Sequence, residues 1–320
     1  MELMTQVSDI ASDTLEGLSA ESKYLLPKYF YDDAGSRIFQ NIMTMPEYYL
    51  TDCEKEIFET SKQQITNLFR YNGSNFDLIE LGSGDGSKTK ILLRQLFQDK
   101  TNFGFIPIDI SAAANKILVN ALREEMPDLQ VEAQTGDYFQ IMHEINNQTN
   151  NRKVILFLGS NIGNFSDEES DSFLLNLAEL TQRDDQVLIG FDLKKSPAVI
   201  IQAYDDPAGH TRRFNLNLLK RLNQELGANF DLDQFQHHTS YDPCSGEVKS
   251  YLVSKCEQIV TIEALERDYY FAQWEAIFME RSRKYDLSGI EILAARHGFE
   301  VRQHFFDRRN YFVDSFWVKK

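Results

Sequence analysis

The amino-acid sequence predicts an α/β fold in which helices cover a doubly wound, largely parallel β-sheet. Three observations support this prediction. Short apolar runs recur from residue 76 onward, segments with helical spacing separate them, and the first run leads into a glycine-rich turn. This alternation is typical of parallel sheets, because each parallel strand needs a crossover, usually a helix, to return to the same edge.

The runs follow one another in a regular order. FDLIEL (76–81) is the first predicted strand, and KTKILLRQLFQ after the glycine turn has helical spacing. FGFIPIDI (103–110), LQVEAQ (129–134), VILFLGS (154–160) and QVLIGFDL (186–193) are the next four strands, with a helix over 167–181. FEVRQHFF (299–306) and YFVDSFWVKK (311–320) predict a terminal hairpin at the sheet edge.

Two regions depart from this alternation and predict a second domain. Residues 196–286 contain a helical stretch, FNLNLLKRLNQELG, a polar turn region at 237–247 and an alternating segment, VKSYLVSKCEQIVTI. The first 60 residues do not fit the alternation either. We therefore expect one domain over 61–195 plus 287–320, and a substrate-binding lobe over 1–60 plus 196–286 that covers the strand ends.

Composition and charge exclude several classes of protein. The 33 basic and 49 acidic residues give a net charge of −16, which repels nucleic acid and anionic membranes. The three cysteines are far apart, as expected of reduced thiols, and neither a secretory signal nor a long apolar run is present. The six histidines lack metal-ligand spacing, and we expect them in turns or at the surface. We expect a soluble, cytoplasmic protein without a metal.

The sharpest local motif is the glycine turn after the first predicted strand. It reads Glu80-Leu-Gly82-Ser-Gly84-Asp-Gly86, with the spacing G-x-G-x-G. Dinucleotide-binding folds use G-x-G-x-x-G instead, with the third glycine one position later. An acidic residue directly before the glycines is the pattern of class I methyltransferases. The motif therefore favours S-adenosylmethionine (SAM) over a nicotinamide cofactor.

Acidic residues also end the second and third predicted strands. Asp109 is placed to bind both ribose hydroxyls of the cofactor, and Asp137 in Gly136-Asp137-Tyr138 to bind the adenine amino group. The alternative is that the turn is one of the many glycine-rich turns of α/β proteins and that Asp109 only caps a helix. Three acidic strand ends in series favour the cofactor site.

Longer motifs resemble one family over nearly the whole chain, roughly residues 25–318. The resemblance is to the histidine-specific N-α-methyltransferases of ergothioneine biosynthesis, which make trimethylated histidine (hercynine) with SAM. The motifs that carry it occur in the family's order: Pro27-Lys28-Tyr29-Phe30-Tyr31-Asp32, Gly35-Ser36, Pro46-Glu47-Tyr48-Tyr49 with Thr51 and Glu54, Leu158-Gly159-Ser160-Asn161-Ile162-Gly163-Asn164, Ala203-Tyr204-Asp205-Asp206, Phe214-Asn215, Phe230-Asp231-Leu232-Asp233 and Glu280-Arg281-Ser282-Arg283-Lys284-Tyr285.

This resemblance implies a class I, Rossmann-like methyltransferase fold with a seven-stranded, mostly parallel sheet and a separate substrate lobe. It implies an enzyme that converts SAM to S-adenosylhomocysteine while methylating a small-molecule amino acid, and we expect a monomer. With the glycine motif, the implied cofactor-binding residues are Tyr31, Glu80, Gly82, Gly84, Lys88, Asp109, Asp137 and Tyr138. The implied histidine-binding residues are Tyr48, Gly159, Asn164, Tyr204, Ser250, Glu280 and Ser282, with Tyr48 as the catalytic residue.

These residue types suit methyl transfer to an amine. The reaction is an in-line displacement that needs an aligned, neutral amine lone pair more than a strong base. Asn164 and Tyr204 are neutral donors for the substrate carboxylate, while Glu280 and Ser282 suit an imidazole ring. Tyr48 would accept the amine's hydrogen bond and hold the growing ammonium by cation–π attraction.

Each assignment has a simpler alternative that the sequence leaves open. Tyr48 and Tyr204 are alternatively ordinary half-buried aromatic residues. Asn164 precedes a predicted helix and is alternatively its N-terminal cap. Glu280 alternatively pairs with a basic residue three or four positions later on a solvated helical face.

Two departures from the family pattern leave the acceptor side chain open. Ser250 stands where the family usually has a methionine facing the imidazole, and Asn161 replaces a small threonine. A smaller, more polar wall leaves room for water or for a modified ring. The alternatives are therefore a tryptophan-type or thiol-substituted histidine amine, or a non-catalytic SAM-binding protein. Glu280 and Ser282 favour imidazole over indole, which has only one donor.

Overall fold

The computed structural model describes residues 2–70, 75–149 and 151–320. Its helices are α1 (Glu2–Ser19), α2 (Asp33–Thr44), α3 (Tyr49–Phe69), α4 (Thr89–Gln98), α5 (Ala112–Glu125), α6 (Tyr138–Gln148), α7 (Asp167–Leu180), α8 (Pro197–Tyr204), α9 (His210–Leu226) and α10 (Leu287–Arg296). Its strands are β1 (Phe76–Leu81), β2 (Phe103–Asp109), β3 (Gln134–Thr135), β4 (Arg152–Phe157), β5 (Gln186–Asp192), β6 (Phe235–Asp242), β7 (Glu247–Ser254), β8 (Gln258–Ile262), β9 (Arg267–Phe271), β10 (Ala276–Arg283), β11 (Phe299–Phe306) and β12 (Phe312–Lys319).

The chain divides into two compact units. We call residues 50–194 with 284–320 the sheet unit, and residues 1–49 with 195–283 the accessory unit. Residues 195–283 of the accessory unit are an insertion between the two parts of the sheet unit, whose first part begins at Leu50. Most of α3 belongs to the sheet unit, because its carboxyl end packs there: the Phe69 ring contacts Phe76, and the Leu68 carbonyl accepts a hydrogen bond from Gln186.

The sheet unit contains the predicted α/β sheet. Within the described residues it has seven strands in the order β11-β12-β5-β4-β1-β2-β3. The pairs among β1 to β5 are parallel, whereas β12 is antiparallel to both β5 and β11. Every residue of β1 and β5 is buried, as expected of strands with helices on both faces. The predicted doubly wound sheet with a hairpin at its edge is confirmed.

One predicted strand is much shorter in the structure. Residues 129–134 were expected to form the third strand, but β3 contains only Gln134 and Thr135. Upstream, Val131 forms an isolated bridge with Phe105. Part of the reason is that Pro127 and Asp128 begin the connection after α5, and these residue types favour turns.

Side-chain caps explain where several helices begin. Asp32, Ser111, Asp137 and Asp286 each accept a hydrogen bond from the first turn of the helix that follows. Ser166 forms a capping box with Glu169 at the start of α7. Such caps satisfy N–H groups that have no partner within the helix, and each stabilises it by about 1 kcal/mol.

The accessory unit contains a three-stranded antiparallel sheet, β10-β7-β6, and a two-stranded sheet, β8-β9, among its described residues. Its core includes apolar residues of α9 and of both sheets. The prediction of a polar turn over 237–247 is wrong for its first half, since β6 extends to Asp242. Alternate residues of β6 are buried there, including polar ones such as His237 and Thr239 that find partners inside the unit.

Among the described residues, none of the helices combines the length and the apolar composition of a membrane span.

Candidate active site

The glycine turn lies at the carboxyl end of β1 in the sheet unit. Gly82 and Gly84 have φ angles of +76° and +52°, in the left-handed region that favours glycine. A Cβ at Gly82 would lie 2.9 Å from the Tyr138 hydroxyl, whereas one at Gly84 would have no described atom within 4 Å. The Gly82 N–H donates to the Ile108 carbonyl at 2.8 Å, which fixes the turn to β2. The turn therefore presents open backbone beside Gly84.

Asp109 ends β2 and lies against this turn. Its Oδ2 accepts a hydrogen bond from the Gly84 N–H at 3.0 Å, and its Oδ1 accepts one from the Ser111 N–H at 2.8 Å. Ser111, not Asp109, is the N-cap of α5, so the helix-capping alternative for Asp109 is wrong. Each oxygen of a carboxylate retains further acceptor capacity, which is what two ribose hydroxyls require.

Asp137 and Tyr138 follow β3 on the same edge of the sheet. Asp137 is exposed and caps α6, with Oδ1 accepting from the N–H groups of Phe139 and Gln140 at 3.0 Å each. Burial, and then the charges of Asp109 and Asp137, raise the pKa of Tyr138 to about 12. The structure thus brings Gly82, Gly84, Asp109, Asp137 and Tyr138 together, as the sequence predicts, and this set fits an adenosyl group.

Glu80 is turned into the protein. It is 3% exposed, and its Oε1 accepts a hydrogen bond from the Thr89 hydroxyl in α4. Its Oε2 has no hydrogen-bond partner among the described residues. Burial raises the pKa of Glu80 to about 8, although the Thr89 hydrogen bond and the Lys88 charge act against it. The carboxyl group therefore braces the turn and leaves almost no surface for a ligand.

Lys88 and Gly159 are linked through a buried glutamate. Lys88 forms an ion pair with Glu54 of α3, whose other oxygen accepts a hydrogen bond from the Gly159 N–H at 2.8 Å. A Cβ at Gly159 would lie 3.4 Å from the Lys88 Nζ. Glu54 occurs in a motif quoted above, but its sequence context assigns it no role. Its role in joining Lys88 to Gly159 is visible only from these two long-range contacts in the structure.

The loop after β4 carries the other predicted substrate residue of this unit. Asn161–Asn164 form a single 3-10 turn, and Asn164 is exposed. The N-cap of α7 is Ser166, so the alternative that Asn164 caps this helix is wrong. The Asn161 side chain lies 3.8 Å from where a Cβ of Gly82 or of Gly159 would be, which places it beside the glycine turn.

Within the accessory unit, Tyr204 is held at both its ends. Its hydroxyl donates to Ser282 Oγ at 2.8 Å, and both residues are buried. Its carbonyl accepts hydrogen bonds from His237 Nε2 and from the Thr239 hydroxyl, each at 2.9 Å. The tyrosine is thereby fixed against the buried face of the three-stranded sheet.

Glu280 and Ser250 face each other across β10 and β7. They are direct cross-strand partners, so they lie on the same face of the sheet, next to a bulge between Phe278 and Glu280. Ser250 is fully buried, and its hydroxyl has no hydrogen-bond partner among the described residues. Because Glu280 lies on a strand, the alternative of a solvated helical face is wrong.

Tyr31 and Tyr48 both approach the Phe39 ring. The ring centroids lie 5.4 Å apart for Tyr31 and 6.3 Å apart for Tyr48. Although Tyr31 is 52% exposed as a residue, burial of its hydroxyl raises its pKa. The charge of Glu280 raises this pKa further. Tyr31 therefore lies near Glu280 in the accessory unit, and Tyr48 is half-buried.

His237 corrects one expectation about the histidines. We expected all six in turns or at the surface, but His237 lies on the buried face of β6. Since a carbonyl only accepts, the bond to Tyr204 places the proton on Nε2. Burial lowers the pKa of His237 and so favours the neutral form of the ring. In the sequence, the burial of His237 is indicated only by its spacing of two residues from Thr239, which places both side chains on the same face of a strand.

A glycine turn and acidic strand ends on a seven-stranded sheet define the class of SAM-dependent methyltransferases with the class I fold. Comparison with known families narrows this class further. The family model described as histidine-specific methyltransferase, SAM-dependent, matches residues 10–319. The chain belongs to this family of SAM-dependent methyltransferases.

Individual relatives agree with this membership. The chain is 36% identical over 273 residues to a histidine N-alpha-methyltransferase of Mycolicibacterium smegmatis, covering 85% of this chain and 83% of that protein. It is 30% identical over 260 residues to ergothioneine biosynthesis protein 1 of Schizosaccharomyces pombe, covering 79% of this chain and 33% of that protein. An L-tryptophan methyltransferase of Psilocybe serbica is 26% identical over 296 residues, covering 85% and 82%.

Proposed function

We propose that the protein methylates the α-amino group of L-histidine with SAM, to N,N,N-trimethylhistidine as an intermediate of ergothioneine biosynthesis. The main structural support for histidine as the substrate is the polar face in the accessory unit that is formed by Tyr204, Glu280 and Ser282. An imidazole N–H that leaves water needs an acceptor, and Glu280 supplies one. The name of the Mycolicibacterium relative supports the same substrate, and the name of the Schizosaccharomyces relative supports the pathway.

For the cofactor, we propose that the glycine turn and Asp109 hold the adenosyl group. Gly84 offers the open backbone, Asp109 binds the ribose hydroxyls, and Asp137 accepts from the adenine amino group. Tyr31 and Lys88 complete the proposed set, while Glu80 supports the turn from behind. Bound SAM supplies an activated methyl group on a sulfonium.

For the amino acid, we propose that Gly159 and Asn164 of the sheet unit contact the substrate. In the accessory unit, the Tyr204 hydroxyl would turn from Ser282 to donate to the substrate carboxylate, and Glu280 with Ser282 would hold the ring. Tyr48 would accept a hydrogen bond from the amine and stabilise the developing ammonium by cation–π attraction. These residues accelerate transfer by aligning the amine lone pair, since the reaction needs no strong base.

A second candidate acceptor is a histidine whose ring carries a polar substituent. It is favoured by Ser250, whose buried hydroxyl lacks a partner among the described residues and faces Glu280 across the sheet. A buried hydroxyl without a partner is costly, and a polar ring substituent or a water would satisfy it.

We also propose that the enzyme works as a monomer in the cytoplasm.

The test is incubation of the purified enzyme with SAM and an equimolar mixture of histidine, thiol-substituted histidine, tryptophan and phenylalanine. Mass spectrometry should find histidine as the main methylated product, with fragmentation placing each methyl on the α-nitrogen. Methyl groups on the imidazole would contradict the proposed orientation. Preferred methylation of tryptophan would contradict the role of Glu280.

A further inference from the structure

Three buried carboxyl groups surround one lysine in the sheet unit. Glu54 and Asp314 are 0% exposed, Glu80 is 3% exposed, and the side chain of Lys88 is 23% exposed. They come from α3, β12, β1 and the residue before α4. A single ammonium balances only one of three buried negative charges, and burial disfavours the ionised form of the other two carboxyl groups.

Glu54 has the best reason to remain ionised. One of its oxygens accepts from the Gly159 N–H at 2.8 Å, and the other contacts the Lys88 ammonium. Gly190 of β5 makes room for this carboxylate, since a Cβ there would lie 2.4 Å from Glu54 Oε1. Burial alone would lower the pKa of Lys88, but the adjacent Glu54 charge raises it, so the ion pair persists.

Asp314 has the best reason to hold a proton. It lies opposite Gly190 in the pairing of β12 with β5. Both of its carboxyl oxygens are buried, and neither accepts a hydrogen bond from any residue in the described part of the chain. Burial, and then the neighbouring charge of Glu54, raise the pKa of Asp314 well above its usual value. An ionised Asp314 would have neither solvent nor a donor.

We propose that Asp314 is a positioning residue, which keeps its proton at neutral pH and donates a hydrogen bond from it to Glu54. Glu54 is then held as the single negative partner of the Lys88 ammonium and the Gly159 N–H. Since the proposed function places Lys88 at the cofactor and Gly159 at the substrate, this inference rests on that function. Asp314 acts through Glu54 and touches neither ligand.

The direct test detects the proton itself. Protein labelled with 13C at the aspartate carboxyl carbons should show one resonance at a protonated chemical shift at pH 7, unchanged between pH 5 and pH 8. Asp314→Asn should remove this resonance. The control, Asp77→Asn, changes another buried aspartate, at the amino end of β1, and should retain it. Glu80 gives no signal in this label. Ionised shifts for every aspartate at pH 7 would overturn the proposal.

The second test measures positioning by calorimetry with S-adenosylhomocysteine. Asp314→Asn keeps a donor toward Glu54, and its affinity should stay within about threefold of the unchanged protein. Asp314→Leu has no donor and should bind about tenfold more weakly, the equivalent of one lost hydrogen bond. Circular dichroism must show that both variants are folded. If Asp314→Leu does not fold, the comparison is made with Asp314→Ala.

The outcomes separate the two proposals. Equal affinity of the Asn and Leu variants, whether both are normal or both are weak, overturns the positioning role of Asp314. If the unchanged protein itself fails to bind S-adenosylhomocysteine, the proposed function fails first, and the positioning role fails with it. In that case the carboxyl resonance still decides whether Asp314 holds the proton.

Discussion

The buried Glu80 should make the protein less stable as the pH rises, and Glu80→Gln should remove this effect. The pKa of Glu80 is about 8 in the folded protein, against an ordinary value of 4.5. Between these values the native state binds more protons than the unfolded state, so the free energy of unfolding falls with increasing pH. Glutamine has no charge and cannot contribute such a slope.

The expected magnitude follows from the pKa difference. Each pH unit between the two values costs about 1.4 kcal/mol, so the wild-type protein should lose about 3 kcal/mol relative to Glu80→Gln between pH 5 and pH 7.5. The amide oxygen can still accept the Thr89 hydrogen bond, but the amide nitrogen replaces an oxygen that has no partner among the described residues. That cost is the same at every pH and leaves the slope unchanged.

Urea unfolding at several pH values measures this difference. The control is Glu144→Gln, which changes an exposed glutamate in the middle of α6 and should differ from the wild type equally at all pH values. Parallel stability curves for the wild type and Glu80→Gln would refute the reasoning. They would mean that Glu80 ionises normally in the folded state.

Three further substitutions test the proposed ligand contacts. Asp109→Ala should weaken SAM binding by about 1.5–3 kcal/mol in calorimetry, because a charged acceptor is lost, and unchanged affinity would remove Asp109 from the site. Glu280→Ala should lower kcat/KM for histidine by about 2–4 kcal/mol with nearly unchanged SAM affinity, whereas the exposed Glu257→Ala should have no effect. Intact histidine turnover in Glu280→Ala would contradict the substrate assignment. Tyr204→Phe should raise KM for histidine by about tenfold through loss of one donor, and a KM equal to that of the wild type would exclude its hydroxyl from the carboxylate site.

The cofactor half of the candidate site was predictable because its residues lie close together in local patterns. Parallel strands bring their carboxyl ends to one edge, so Gly82, Gly84 and Asp109 had to meet once the strands were identified. The prediction was weaker where strand propensity and burial disagree. Of the strand predicted over residues 129–134, only Gln134 belongs to β3. The sequence of β6 looks polar because this strand buries the polar residues His237 and Thr239.

The simpler alternatives for site residues could be decided only by local geometry. The sequence could not tell whether Asn164 caps α7, because Ser166 two positions later is an equally good cap. It could not tell whether Glu280 lies on a helix or a strand. The bulge in β10 and the pairing with Ser250 decide that question.

The class of fold, the glycine turn, the acidic strand ends and the resemblance to the family could all be recognised from the order of the residues. These are short-range patterns, in which the spacing of residues along the chain dictates what the backbone and its hydrogen bonds can form. Which buried polar groups share partners became visible only in the folded chain. Glu54 and Asp314 are 260 positions apart, and no local pattern indicates that they meet beside Lys88. Their protonation depends on burial and neighbouring charge, and both are properties of the folded chain.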